Sequence, residues 1–185
     1  MTFRFATPDD AAAILDIYAP YIRNTVMTFE FVVPTIEEFT ERVDGITSKY
    51  PYLVCEENGV ILGYAYAGSY RGRAAFQWDV ELSVYLRPES QGRGIATGFY
   101  DRLLPMLEQL GYRNVYASIV PPNPQSIGLQ EKYGFETLCI FEKCGYKLGQ
   151  WCDLLWMHKQ IGDWSKPPVP PVPIVEMREE LEKLL

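Results

Sequence analysis

Between residues 80 and 133, several residue types stand at spacings that chemistry uses. Glu81 lies in the run V-E-L-S-V-Y-L. Alternate residues of a strand share a face, so Val80, Leu82, Val84 and Leu86 form an apolar row while Glu81, Ser83 and Tyr85 point the other way. A carboxylate on a central strand near Phe76, Trp78 and Tyr85 is partly desolvated, which raises its pKa toward the range of a general base. On a half-exposed strand the same residue is an ordinary surface carboxylate. Directly after this strand comes Gln91-Gly92-Arg93-Gly94-Ile95-Ala96-Thr97, a glycine-rich turn that opens a long helix. Glycines let backbone approach an anion closely, and the first helical turn supplies free N–H groups and positive dipole. The dinucleotide pattern G-x-G-x-x-G and the P-loop lysine are both absent, which sets those two phosphate-binding readings aside. A second helix starts at Asn123-Pro124-Gln125-Ser126, where Asn123 and Ser126 satisfy ordinary capping rules. Tyr133 ends that helix as either a core tyrosine or a phenol facing a site.

The elements that must hold these groups follow from local signals. Phe3–Ala6 reads as a strand, and Thr7-Pro8-Asp9-Asp10 opens a helix with Thr7 as N-cap, Pro8 in the first position and acids in the first turn. Ile14, Ile17, Tyr18, Tyr21 and Ile22 keep helical spacing and form its core face. Thr35 with Glu38 has capping-box spacing for a second helix, and the aromatic segment Thr25–Pro34, containing T-F-E at Thr28–Glu30, joins the two. Tyr52–Cys55 and Val60–Ala67 make a hairpin turned at Glu57-Asn58-Gly59. Phe76–Leu86 is the next strand, stopped by Pro88. Ile95–Leu110 is a long helix ended by Gly111, with Pro105 inside it expected to remove one backbone bond and bend it. Val115–Val120 reads as a buried strand, Asn123–Tyr133 as a helix, and Phe135–Glu142 and Cys152–His158 as the last strands. Residues 1–162 thus form one domain. Residues 163–185 differ: Trp164-Ser-Lys-Pro-Pro-Val-Pro-Pro-Val-Pro is a polyproline-like strap followed by a charged helix, Val175–Leu185, lying on its own domain or at an oligomer interface.

Composition narrows the partners. The chain has 185 residues, enough to bury roughly 70% of its unfolded surface. A net charge of -7 argues against nucleic acid, whose affinity comes from Lys and Arg neutralising phosphates. Arg87, Arg93, Arg102, Arg113 and Lys132 nevertheless place a local basic patch around the glycine turn. Cys55, Cys139, Cys144 and Cys152 form no C-x-x-C pair, and the only histidine is His158. Neither a zinc site nor a disulfide framework is expected, and reduced thiols point to the cytoplasm. Met1 leads straight into the first strand with no secretory leader pattern, and the apolar run Val60–Ala67 is too short to span a bilayer.

The series V-E-L-S-V-Y-L-R-P-E-S-Q-G-R-G-I-A-T-G, then P-N-P-Q-S-I-G-L-Q-E-K-Y, resembles the GNAT superfamily of acetyl-CoA-dependent N-acetyltransferases, whose turn Q/R-x-x-G-x-G/A is filled by Gln91, Gly94 and Ala96. Within it the chain is similar to the phosphinothricin and methionine sulfoximine acetyltransferases, through I-Y-A-P-Y-I with T-F-E, R-x-A-F-x-W-x-V-E-x-S-V-Y at Arg73–Tyr85, G-Y-K-x-G-x-W-x-D at Gly145–Asp153, and the Pro-rich ending. Two departures stand out: Leu148 stands where the bialaphos-type enzymes of that branch carry a histidine, and Cys152 replaces a histidine often found there between Trp and Asp. The resemblance implies an α/β (α+β) fold, a mixed, mostly antiparallel sheet of about seven strands flanked by about four helices, splayed to admit coenzyme A. It implies acetyl-CoA as cosubstrate, no metal, and a homodimer. Val84, Tyr85 and Leu86 would hold the acetyl-pantetheine end, Gly92, Arg93, Gly94, Ile95, Ala96 and Thr97 the phosphates, and Asn123 and Ser126 the pantetheine arm. Glu81 would be the base and Tyr133 the acid that protonates the departing thiolate. Phe29, Glu30, Arg73 and Phe76 would grip a small amino-acid-like acceptor, Arg73 by pairing with its carboxylate. A polyamine, an aryl amine or a protein N-terminus is the alternative acceptor, and a non-catalytic acyl-CoA-binding module the alternative class.

Overall fold

The computed structural model describes residues 1–185 as one mixed α/β layer structure. Seven strands form a single sheet in the order β1-β2-β3-β4-β5-β7-β6. They are β1 (Thr2–Phe5), β2 (Tyr52–Glu57), β3 (Val60–Ser69), β4 (Asp79–Leu86), β5 (Asn114–Ile119), β6 (Glu136–Lys147) and β7 (Gln150–Gln160). Five helices accompany them: α1 (Ala11–Asn24), α2 (Ile36–Thr47), α3 (Ile95–Gln109), α4 (Pro124–Lys132) and α5 (Ile174–Leu181). None is long and apolar enough to cross a membrane.

Local chemistry explains most boundaries. The capping boxes at Thr7 with Asp10 and at Thr35 with Glu38 both form, although the first starts a single 3-10 turn, Pro8–Asp10, before α1 begins. Asn58 and Gly59 both take positive φ (52° and 77°), as a two-residue hairpin turn with the right strand twist requires. Pro105 lies inside α3 without ending it. One strand is shorter than expected. Residues 74–76 form a 3-10 turn and β4 begins only at Asp79, where pairing with β5 and then β3 becomes available, although Phe76-Gln77-Trp78 continues the alternation. Two strands are longer: β6 and β7 continue to a tight turn at Leu148-Gly149, where both residues have positive φ.

Helices cover both faces of the sheet, except at β6, which is mostly exposed. Helices α3 and α5 cover one side, where Val80, Leu82, Phe99, Leu103, Val115 and Met157 share a core with Leu181. On the other side α1 and α2 lay Ile14, Ile17, Ile22, Phe39 and Val43 against Val54 and Tyr64. Each such side chain contributes about 1.5–3 kcal/mol on leaving water. The strap after Trp164 lies on its own domain: Trp78 Nε1 donates to Val169 O (2.7 Å), Val172 N to Leu110 O (2.9 Å) and Ile174 N to Lys49 O (3.1 Å). Arg102 then donates from Nε and Nη2 to Leu185 O.

One feature of the sheet positions everything functional. All neighbouring strands are antiparallel except β4 and β5, which pair in parallel through only three residue pairs, Asp79–Asn114, Val80–Val115 and Glu81–Tyr116. Beyond Glu81 the two strands part. β4 still pairs with β3 as far as Leu86, and β5 with β7 as far as Ile119. The facing edges beyond Glu81 are left without a strand partner.

Candidate active site

The gap between β4 and β5 opens into a cavity of about 690 Å³. Its walls are Leu82–Leu86 on one strand and Ala117–Val120 on the other. Gln91, Gly92, Ala96 and Tyr100 come from the start of α3, and Asn123, Gln125, Ser126, Leu129 and Gln130 from α4. Tyr21 of α1 and Met27–Phe29 complete the lining, and Glu81 stands where the strands divide.

Glu81 is half-buried, and burial pushes its carboxyl pKa up from 4.5. Ser118 opposes that shift by donating its hydroxyl to Glu81 Oε1. The pairing follows from register: Tyr116 lies beside Glu81, and Ser118, two residues on, shares its face. The desolvating surroundings differ from the expected ones. Phe76 and Trp78 line a separate, smaller cavity with Arg113 and Trp164. Tyr85 shares the Glu81 face but stacks with Tyr64 and meets Tyr18 and Tyr21 edge-on.

The glycine turn has the form an anion needs. Gly92 and Gly94 have φ of 75° and 79°, and Gly94 is the N-cap of α3 with no side chain capping the first turn. No atom lies within 4 Å of where a Cβ would stand on either. The N–H groups of that turn are therefore open to a ligand. The expected basic patch is otherwise engaged. Arg93 Nη2 is 2.9 Å from both carboxylate oxygens of Glu57, and Arg87 Nη2 is 2.8 Å from Asp16. Arg102 is held by Leu185 and the Phe3 ring.

Of the residues singled out in the sequence, the cavity gathers Glu81, Val84, Tyr85, Leu86, Gln91, Gly92, Ala96, Asn123, Ser126 and Phe29. Asn123 Oδ1 accepts from Ser126 N (3.1 Å), so capping uses that oxygen and leaves the amide nitrogen free. Arg93, Gly94, Ile95 and Thr97 lie beside the cavity without lining it, Ile95 being turned into the core. Four of the expected residues lie outside the cavity lining. Tyr133 is not a cavity residue: its hydroxyl lies 2.6 Å from Asp101 Oδ1 and 3.0 Å from Thr97 O, joining α4 to α3. Burial and the Asp101 carboxylate raise its pKa, so it keeps its proton. Glu30 is also drawn away, accepting from Tyr18 Oη (2.9 Å) and Arg42 Nη1 (2.7 Å). Arg73 is exposed in the loop before β4, and Phe76 belongs to the second cavity. Leu148, one of the two departures, sits exposed at the β6–β7 turn and touches no part of the cavity wall.

Residues that sequence reasoning missed include Tyr21, whose hydroxyl donates to Leu86 O (2.7 Å) at the diverging edge. Thr28, Ser118, Tyr100 and Gln130 are others. Gln130 Nε2 donates to Tyr100 Oη (2.5 Å), while its buried Oε1 has no partner. A buried acceptor left unmade is costly, and this one belongs to a residue that lines the cavity. An elongated amide-bearing molecule with a diphosphate suits this set: open N–H groups at one end, free strand edges along its length, and polar residues of α4 beside it.

Comparison with known proteins agrees. Residues 3–156 match the family described as acetyltransferase (GNAT) domain. The chain is 34% identical over 174 residues to the phosphinothricin N-acetyltransferase of Streptomyces viridochromogenes, covering 92% of this chain and 91% of that protein. It is 34% identical over 168 residues to the L-methionine sulfoximine/L-methionine sulfone acetyltransferase of Salmonella typhimurium, covering 90% of this chain and 98% of that one. Among solved structures, a GNAT superfamily phosphinothricin acetyltransferase from Sinorhizobium meliloti in complex with AcCoA superposes with a TM-score of 0.87 at 36% identity, covering 91% of this chain and 92% of that one.

Proposed function

The chain belongs to the GNAT acetyltransferase family, and from that premise we propose that it moves acetyl from acetyl-CoA to the primary amine of a small amino-acid-like acceptor of the phosphinothricin or methionine sulfoximine type. The observation that carries this reading is the position of Glu81, half-buried at the point where β4 and β5 part and in line with the open turn at Gly92–Ala96. Backbone N–H groups of that turn receive the diphosphate, and the unpaired β4 edge through Val84–Leu86 holds the acetyl-bearing arm. Gln130 and Asn123 offer polar contacts from α4. Acetyl-CoA supplies the activated acyl group.

Glu81, its pKa raised by burial, takes the proton that an ammonium must lose before it attacks. N–H groups on the free edge beside Glu81 meet the oxygen that gains charge, and each such donor is worth about 3–4 kcal/mol elsewhere. On this reading Tyr133 is not required as the acid, because its hydroxyl is bonded to Asp101 outside the cavity lining. The loss of an acid there is tolerable, since a thiol with pKa around 8.5 departs as a thiolate without obligatory protonation. Phe29, Met27 and Thr28 form the acceptor side of the cavity.

The enzyme acts as a homodimer in the cytoplasm on this reading. The sheet ends on β6, whose Leu138, Ile140 and Phe141 are exposed, and a second copy would cover them. Cys139 and Cys144, exposed and unpaired, suit a reducing compartment. Thiol release from acetyl-CoA tests the chemistry, with L-methionine sulfoximine, L-methionine sulfone, phosphinothricin and a polyamine as acceptors. Turnover of the amino acids by wild type and its loss in Glu81→Gln are expected. Turnover of the polyamine alone would refute the acceptor class, and no turnover at all with coenzyme A still bound would leave a binding module.

A further inference from the structure

Lys147 is the least explained charged group in the molecule. It is 3% exposed, makes no ion pair, and uses one of its three donors, from Nζ to Thr28 O at 2.6 Å. Burial lowers its pKa, and only the nearby Glu30 carboxylate and Cys152 oppose that. An ammonium kept in such a place is expensive unless its single bond matters. That bond reaches across the fold, from the end of β6 to a segment 119 residues earlier whose Thr28 and Phe29 line the catalytic cavity.

A second contact joins the same two pieces independently. Gly145 lies against the ring of Phe29 so closely that a Cβ there would stand 2.7 Å from Cε2 and Cζ. Gly145 does not have positive φ, so its small size matters here, not its backbone freedom. The reason both residues face that way is an irregularity in β6. The register with β7 shifts between Phe141 and Gly145, with Lys143 at φ 47° and its N–H bonded to Asp153 Oδ1 (2.7 Å). A bulge of this kind re-aims the strand beyond it. After the shift, Gly145 and Lys147 turn inward while Tyr146 stays exposed.

We propose that Lys147 and Gly145 are positioning residues for acceptor recognition: the β6–β7 hairpin is the backstop that holds Thr28 and Phe29 at the distance an amino-acid-sized acceptor requires. The inference rests on the acetyltransferase reading above. It separates the two halves of the cavity, because neither residue adjoins Gly92–Ala96 or α4. The hairpin tunes the acceptor and leaves the coenzyme untouched.

The test uses Lys147→Met, which keeps the length and removes the donor, and Gly145→Ala, which pushes on Phe29 without touching Lys147. In both variants KM for L-methionine sulfone is expected to rise, about tenfold or more for Lys147→Met given the worth of a hydrogen bond from a charged group. Affinity for coenzyme A by calorimetry stays within twofold of wild type. Amide hydrogen exchange of residues 27–31 speeds up in Lys147→Met, while the exchange of β4 and α3 does not. If Lys147→Met does not fold, Gly145→Ala carries the test alone. Unchanged acceptor KM in the folded variants, or a parallel loss of coenzyme A affinity, overturns the proposal. The exchange measurement needs no acceptor, so it still decides the matter if wild type acetylates none of the amines offered.

Discussion

Replacing Ser118 by alanine gives the sharpest test of the catalytic carboxylate, because it leaves Glu81 in place and changes only its proton affinity. The Ser118 hydroxyl donates to Oε1 and so favours the ionised form, partly offsetting the upward push of burial. A hydrogen bond to a charged group is worth about 1.5–3 kcal/mol. Its removal therefore raises the Glu81 pKa further above the ordinary carboxylate value. Water entering the vacated space and the half-exposed setting moderate the effect. The base works as a carboxylate, so kcat/KM falls as pH drops through this pKa. The acid limb of the profile therefore moves to higher pH in Ser118→Ala, while the alkaline plateau stays within a few fold of wild type. Stability follows the same sign. A carboxyl whose folded pKa is raised contributes fully below the unfolded value near 4.5, and that contribution is lost as pH rises through the folded value. Ser118→Ala should thus lose more stability at pH 8 than at pH 4. Thiol-release assays from pH 4.5 to 9, with thermal unfolding at both ends, measure each effect. An acid limb that stays put or moves down refutes the assignment of Glu81, as does a Glu81→Gln variant that keeps the limb.

Other outcomes follow from single contacts. Tyr133→Phe should lower kcat less than about threefold and cost about 1 kcal/mol of stability, since its hydroxyl serves only Asp101 and Thr97; a hundredfold fall in kcat would restore it as the acid. Gly94→Ala puts a side chain at φ 79°, costing about 1–2 kcal/mol, and should weaken coenzyme A binding measured by calorimetry while acceptor KM holds. Leu148→His adds the residue found in that place among the bialaphos-type enzymes, yet Leu148 is 57% exposed and off the cavity, so the ratio of kcat/KM for phosphinothricin and methionine sulfone should change less than about twofold. Leu181→Ala empties a fully buried position under the strap and should cost about 2–5 kcal/mol by denaturant unfolding, with little effect on turnover of the folded fraction.

Where a local rule decides the structure, the residues could be read in advance. Thr35 with Glu38, Asn58-Gly59 and the alternation of Val80–Leu86 each act over a few residues, and each appears as expected. The glycine turn is of the same kind, because Gly94 must be left-handed to start α3. The misreadings arise where partners come from far away in the chain. Phe76 seemed part of a strand by its aromatic character, but the strand starts where pairing with β3 and β5 becomes available. The arginines near the turn read as a cation cluster, yet Asp16 and Glu57, distant in sequence, take two of them. Tyr133 sits at the end of the predicted helix, but which way its phenol points depends on Asp101 of another helix. Ser118 carried no signal, being one small polar residue in an apolar strand until register set it opposite Glu81.

The three-pair junction of β4 with β5 has a mechanical meaning as well. It is the seam between an amino-terminal half of the sheet, β1 to β4, and a carboxy-terminal half, β5 to β7, each zipped by long antiparallel ladders. A ligand lying in the gap touches both halves and adds rungs where the protein has fewest. At a hundred times its dissociation constant it would add about 2.7 kcal/mol to folding. That reinforcement should register as slowed amide exchange along the two lips of the gap, so the sheet reaches its full cohesion only while loaded.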